Sequence, residues 1–285
     1  MPGTILFGID VETASEDAVA FAERGQELFH ELNVPVTWYL TGRTLERYPD
    51  VFRAMDGDEL IELQAHTYSH VLLKTVLIRI PEGKTIHGST DWYMERGSSL
   101  ETIDSDLGRC QAVFQNVLGR RANAMTGPWC YYRGLGDRPD LLEMVHRHGF
   151  NVLRTFGRDE DDGQPVPLEW QPFFYKAQGF PAVLEIMVHG YQDDFYWSAF
   201  TGEKDPRKYV EHLKSFADKA AKEDLTWSLC SHDHRCATEE GFQNKAQWYR
   251  AVIGHALRLG VRFLPVTQYY NEKIVERDTS WGEGE

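Results

Sequence analysis

Nowhere does the chain contain the ~18 consecutive apolar residues that a membrane-spanning helix needs, which excludes a helical span. The opening Met1-Pro2-Gly3-Thr4 has no basic segment and no apolar run, so no secretory leader is expected and a cytoplasmic location is. Cysteine is scarce: Cys110, Cys130, Cys230 and Cys236 form no Cys-x-x-Cys pair, which argues against a zinc ribbon and for reduced thiols. Basic charge is also in short supply. Lys and Arg total 30 against 44 Asp and Glu, a net charge of −14, the opposite of a nucleic-acid binder's electrostatic footprint. No Gly-x-Gly-x-x-Gly turn follows the first strand-like run, which weakens a dinucleotide-binding reading. What remains is an ordinary globular composition, 42% hydrophobic and 26% charged, in 285 residues, long enough to bury a large core without staples.

Short β-rich runs alternate with longer helical patterns. Ile5-Leu6-Phe7-Gly8-Ile9, Pro35-Val36-Thr37-Trp38-Tyr39-Leu40 and Leu60-Ile61-Glu62-Leu63-Gln64 read as buried strands. Further strand-like runs lie at 122–126, 151–156, 182–188, 226–231 and 261–266. Helical spacing marks 16–32, 44–55, 100–118, 138–148, 206–222 and 239–258, with Gly119 a plausible stop. Such alternation implies a parallel sheet with helices outside it, closed as a (β/α) barrel or open and doubly wound. A single catalytic domain is expected over 1–276. It is interrupted by an irregular insertion at about 71–99, with Pro81-Glu82-Gly83, His87-Gly88-Ser89, Gly97-Ser98 and both aromatic and charged residues (Trp92, Tyr93, Glu95, Arg96), that reads as a substrate-facing loop. The polar stretch 277–285 reads as a frayed tail.

In a barrel the working residues stand at the C-terminal ends of strands. Asp10 and Glu12 follow the first run, and His66 and His70 the third. Gly127-Pro128-Trp129 comes after the fourth, His189 after 182–188, and His232 closes 226–231. Carboxylates and imidazoles therefore gather at one rim. His66 and His70 share a face if their segment makes a helical turn, and neutral imidazoles suit zinc and related divalent ions. A carboxylate is the usual third ligand of an open catalytic site, and Asp10-Val11-Glu12 offers two. Taken alone, the histidine pair could be a surface feature and the acidic pair a helix cap. Their convergence at separate strand ends favours a metal site.

These residues carry a resemblance. Phe7-Gly8-Ile9-Asp10-Val11-Glu12-Thr13, His66-Thr67-Tyr68-Ser69-His70, Thr126-Gly127-Pro128-Trp129 and Leu229-Cys230-Ser231-His232 resemble, in order, the motifs of the NodB-homology polysaccharide deacetylases, carbohydrate esterase family 4. The spaced Asp-x-acid variant is similar to that family's intracellular branch, which includes allantoinase-like and cyclic-imidase-like proteins. The resemblance spans residues 5 to about 270 and implies a distorted (β/α)7 barrel. It also implies a divalent ion, with zinc expected, on Glu12, His66 and His70, Asp10 as general base and His232 as general acid. His234 is an alternative for the last role. Two departures stand out: Thr126 occupies the place of the family's arginine, and Glu12 that of its metal-binding aspartate. Arg133 is the candidate to replace the arginine. The acidic fourth motif has no clear match among Glu169-Trp170, Asp159, Asp161 and Asp162.

Trp129, Tyr131, Arg133, His189 and Trp197 are the expected substrate contacts, because aromatic faces pack well on sugar rings. The expected partner is a small-molecule or oligosaccharide substrate, with no nucleic acid and no membrane, and a homo-oligomer is left open. The implied reaction is metal-dependent removal of an N-acyl group, foremost N-acetyl, from an amino-sugar substrate. The alternatives are ring-opening amide hydrolysis of the allantoinase or cyclic-imidase sort and a catalytically inactive carbohydrate-binding barrel.

Overall fold

A computed structural model describes residues 3–80, 82–85, 88–197 and 205–282. Its strands are β1 (Thr4–Val11), β2 (Val36–Leu40), β3 (Ile61–Ala65), β4 (Val76–Arg79), β5 (Trp92–Glu95), β6 (Ala124–Tyr132), β7 (Val152–Arg158), β8 (Phe173–Tyr175), β9 (Phe180–Glu185), β10 (Thr226–His232) and β11 (Arg262–Phe263). Its helices are α1 (Glu16–Leu32), α2 (Gly42–Arg47), α3 (Pro49–Met55), α4 (Leu100–Leu118), α5 (Pro139–Arg147), α6 (Asp193–Trp197), α7 (Pro206–Glu223), α8 (Glu239–Arg258) and α9 (Val266–Gly282).

Seven strands run parallel in the order β10-β1-β2-β3-β6-β7-β9, with β8 antiparallel at the β9 edge and β11 beside the start of β1. This is the expected α/β architecture of parallel strands joined through helices. Among the described residues no ladder joins β9 to β10. His189 spans that seam: its N–H donates to the Ser228 carbonyl at 2.9 Å, and its Nδ1 accepts the Ser228 N–H at 3.0 Å.

Strand alternation sorts the core into two layers. Ile5, Phe7 and Ile9 of β1 face the helices, where Phe7 meets Phe29 of α1 and Trp248 of α8. Leu6 points the other way and packs with Tyr39, Ala124, Val152, Leu184 and Ile186. Leu264, Val266 and Tyr269 join this inner cluster. They bring the start of α9 against the strands' N-terminal ends, where Tyr269 meets the Thr226 hydroxyl at 3.1 Å and Tyr270 donates to the Ala182 carbonyl at 2.8 Å. One end of the sheet is thus filled with apolar side chains, and the polar chemistry is left to the other. The helices are bounded as their sequence signals require. Ser15 accepts the Asp17 N–H at the start of α1, Ser99 that of Thr102 at the start of α4, and Gly119 ends α4 at φ 71°.

Three expectations change. The run 261–266 holds only the two-residue β11 before the chain turns into α9, and α9 continues to Gly282, so 277–282 is helical. Arg277 donates to the Pro181 carbonyl at 2.6 Å. The insertion at 71–99 carries a hairpin, β4 with β5, rather than a structureless loop.

Candidate active site

The C-terminal strand ends surround a cavity of about 320 Å³ lined by Asp10, Glu12, His66, His70, Trp129, Arg158, Asp194, His232 and His234 among others. Glu12 stands just beyond β1. Its Oε2 lies 2.8 Å from His66 Nε2 and 3.0 Å from His70 Nε2, and its Oε1 lies 3.0 Å from His234 Nε2. Burial alone would raise the Glu12 carboxyl, but hydrogen bonds from His234, His66 and His70 hold it well below the usual carboxylate range.

The two histidines after β3 sit on a tight turn rather than a helical one. Thr67 and His70 take positive φ, 56° and 62°, and the imidazole rings meet edge to face with centroids 4.8 Å apart. Asp106 of α4 fastens the turn: its carboxylate accepts the Tyr68 N–H at 2.6 Å, the Ser69 N–H at 3.0 Å and the Ser69 hydroxyl. His66 Nδ1 lies 3.1 Å from the Thr126 carbonyl. That contact fixes a proton on Nδ1, so an ion that displaced the Nε2 proton now shared with Glu12 would meet the lone pair there, the arrangement a ligating imidazole needs. Two imidazole nitrogens and one carboxylate oxygen converging from β1 and β3 form a donor set that suits a zinc-like divalent ion. A second cluster, Asp10, Cys230 and His232, suits one less well, because burial pushes the Cys230 thiol up and keeps it protonated.

Asp10 lies deeper than Glu12. Its Oδ2 is 3.9 Å from His66 Nε2 and 4.0 Å from His232 Nε2, so it stands between the two groups. Its Oδ1 pairs with the guanidinium of Arg154, which rises from β7 and is wholly buried. The Tyr39 ring lies 4.4 Å beneath the Arg154 Cζ. Gly8 makes room for it: a Cβ there would stand 2.7 Å from Arg154 Nη1. The cation missing at Thr126 is therefore supplied from the neighbouring strand. Arg133 does not fill the role, since it is exposed and lies over the Tyr132 ring at 4.9 Å.

His232 is held by Asp193 at the start of α6, Nδ1 to Oδ1 at 2.6 Å, and Asp193 also takes the Ser231 hydroxyl at 2.6 Å and Lys245 Nζ at 3.0 Å. Burial opposes the charged imidazole, yet the carboxylates of Asp193 and Asp194 push His232 up to about 10. Burial likewise opposes an ionised Asp193, but Lys245 and His232 hold it well below the ordinary range. His234 stacks on His232 with centroids 5.1 Å apart and puts its Nδ1 2.5 Å from Asp194. The acid behind His232 is therefore neither Glu169, which pairs with Lys219 at the surface, nor Asp159 or Asp162, which bind backbone N–H groups of their own loop and of the hairpin.

The remaining predicted contacts separate. Trp129 lines the cavity at φ 67° in an irregular stretch of β6, stacked on Tyr93 of the hairpin with centroids 6.1 Å apart. Tyr131 is buried away from the cavity, its hydroxyl accepting the Leu73 N–H at 2.8 Å. His189 does not line the cavity either. Both its ring nitrogens are used at the seam, Nδ1 by Ser228 and Nε2 by the Trp170 carbonyl at 2.6 Å, and burial lowers its pKa to about 4. The Trp197 side chain lies outside the described residues. Ile78 of the hairpin does line the cavity, so the insertion reaches its mouth.

A family model described as polysaccharide deacetylase matches residues 13–152, a segment that holds His66 and His70. Over that segment, 140 of the 285 residues, the chain is similar to the polysaccharide deacetylase family. No curated protein matches it in sequence. Solved structures share the deacetylase fold at low identity. A candidate polysaccharide deacetylase from Mycobacterium smegmatis has a TM-score of 0.63 at 16% identity, covering 97% of this chain and 91% of that one. A second candidate polysaccharide deacetylase, from Pseudomonas aeruginosa PAO1, and the Puue allantoinase each have a TM-score of 0.63 at 14% identity, covering 94% of this chain and 89% of theirs.

Proposed function

We propose that this chain is a metal-dependent hydrolase that removes an N-acyl group, most readily N-acetyl, from an amino-sugar-containing substrate. The observation that carries the reading is the placement of Asp10, its oxygen about equally far from His66 and His232, beside the convergent Glu12, His66 and His70. The three convergent residues would hold the ion, which when bound supplies a Lewis acid for the amide carbonyl.

Asp10 takes the proton from a water that attacks the carbonyl carbon, and Arg154 fixes the carboxylate's orientation. The oxyanion that develops would be met by the backbone N–H of Trp129, a residue that lines the cavity in the irregular part of β6. Asp193 and Lys245 position His232, whose Nε2 proton passes to the leaving nitrogen as the C–N bond breaks. Acetate and a free amine result.

A cavity of about 320 Å³ is at the small end of ligand pockets, roughly 300–1,000 Å³, and suits a single ring. The same groups could therefore open a cyclic imide or ureide, a second reading. Metal-loaded and chelator-treated protein should be assayed against N-acetyl amino sugars and against cyclic ureides and imides. Chelator-sensitive acetate release from the sugars is expected. Turnover of the cyclic amides alone favours the second reading, and no turnover of either class removes both.

A further inference from the structure

Arg158 closes β7 two alternations beyond Arg154, so both point to the inner side of the sheet. Arg158 is 3% exposed and lines the cavity beside Glu12, His70 and His232. All its bonds go to neutral carbonyls: Nε to Trp129 and Cys130 at 2.8 and 3.2 Å, and Nη1 to Asp162 at 2.6 Å. Among the described residues no carboxylate forms an ion pair with it, and Nη2 has no hydrogen-bond partner. The two acids whose charge acts on it, Asp159 and Asp162, spend their side chains on backbone donors. Asp159 accepts the Asp161 and Gly163 N–H groups, and Asp162 accepts the Leu77 N–H. The rings of Trp129 and Phe195 flank the guanidinium, with centroids 5.7 and 5.8 Å from Cζ.

A guanidinium stays charged at any physiological pH, and one buried without a counterion destabilises the empty fold. Burial accordingly pushes Arg158 down from its ordinary value. The contrast with Arg154 is sharp, because that arginine has Asp10. Backbone carbonyls take Nε and Nη1 and aromatic faces confine the guanidinium, leaving Nη2 unbonded in a side chain that lines the cavity. A planar cation presented in this way matches a carboxylate better than a hydroxyl or an amide.

We propose that the substrate carries a carboxylate and that Arg158 receives it. This deepens the reading above, because it rests on the cavity being the substrate site. Selection of an acidic substrate by a chain of net charge −14 then comes from one local cation rather than from the overall field.

The test is isothermal titration of the metal-loaded protein with three matched pairs, each an acid and its primary amide. The acids are the 3-O-lactyl ether of N-acetylglucosamine, N-acetylalanine and N-carbamoylglycine. At least one acid should bind roughly tenfold or more tightly than its amide, the size of one charge-assisted contact. Arg158→Gln should abolish that gap, and Arg158→Lys, which keeps the charge but not the fork, should retain part of it. If no acid outbinds its amide in the wild-type protein, or if the gap survives Arg158→Gln, the proposal is overturned. The wild-type and Arg158→Lys comparisons hold even if Arg158→Gln fails to fold for want of its clamp on β6. Amine release from the same compounds separates the two readings. Preferential acid binding without release leaves the carboxylate site standing and removes the hydrolase. Release without acid preference does the reverse.

Discussion

Asp193 and Arg154 each grip a group that would move a proton in the proposed reaction, and each is itself buried. Asp193 sets the protonation of His232. With the carboxylates in place the imidazole keeps its proton up to about pH 10, so acid catalysis by His232 is present below that pH and is lost as pH rises through it. The linked stability has the same sign: fully present below the ordinary histidine value of about 6.5, and lost as pH rises through about 10. Asp193→Asn keeps the shape and removes the charge. The falling limb of the kcat/KM profile should then move toward neutral pH. An unmoved limb means that Asp193 does not hold this proton. Neither partner was legible as such. Asp193 sits in an acidic-aromatic run whose neighbours looked like substrate contacts, because one carboxylate among several carries no local mark of its target. Arg154 did leave a trace: a charged residue in the middle of the apolar run Val152-Leu153-Arg154-Thr155-Phe156 has to be paired wherever its strand is buried.

At the scale of elements, the turn that follows β3 and is tied to α4 through Asp106 is the most specific piece of local structure. Two non-glycine residues in left-handed conformation cost about 1–2 kcal/mol each, and Asp106 offsets this by satisfying two backbone N–H groups of the turn at once. Asp106→Ala would strand those donors. Stability should fall by about 2–4 kcal/mol in denaturant titration. Metal affinity should fall roughly 10–100-fold, the usual effect of losing a supporting contact behind the ligands. Unchanged affinity would show that the turn holds its shape without α4. Asp106 stands on the apolar stripe of α4, three residues after Ile103 and four before Cys110, a buried-acid signal that periodicity alone provides. The long helices and the parallel strands were readable for the same reason: each repeats an apolar spacing over enough residues to be unambiguous. The three- and four-residue strands β4, β5 and β8 lack that length. The start of α9, Val266-Thr267-Gln268-Tyr269-Tyr270, has weak helix formers everywhere but Gln268 and became a helix by packing across the sheet's end.

For the molecule as a whole, the candidate metal site ties together strands far apart in the sequence. Glu12 follows β1, His66 and His70 follow β3, and His232 and His234 approach from β10 on the far side of β1. Without a cation the cluster is held by hydrogen bonds between Glu12 and three imidazoles, an arrangement whose strength depends on their protonation. An ion bound by Glu12, His66 and His70 would act on the native chain alone, since the unfolded chain cannot bring the three together. Its binding energy then becomes folding energy. At free metal one hundred times Kd the stabilisation is about 2.7 kcal/mol. For a chain of this size that corresponds to a rise in Tm of roughly 5 °C. Wild-type protein titrated with zinc after chelation should show this rise, growing with the logarithm of metal concentration. His70→Ala and Glu12→Gln should lose most of it, while Asp10→Asn, which leaves all three donors in place, should keep it. A rise that survives in Glu12→Gln and His70→Ala would place the ion elsewhere, and the proposed division between metal-holding and proton-moving groups would fail with it.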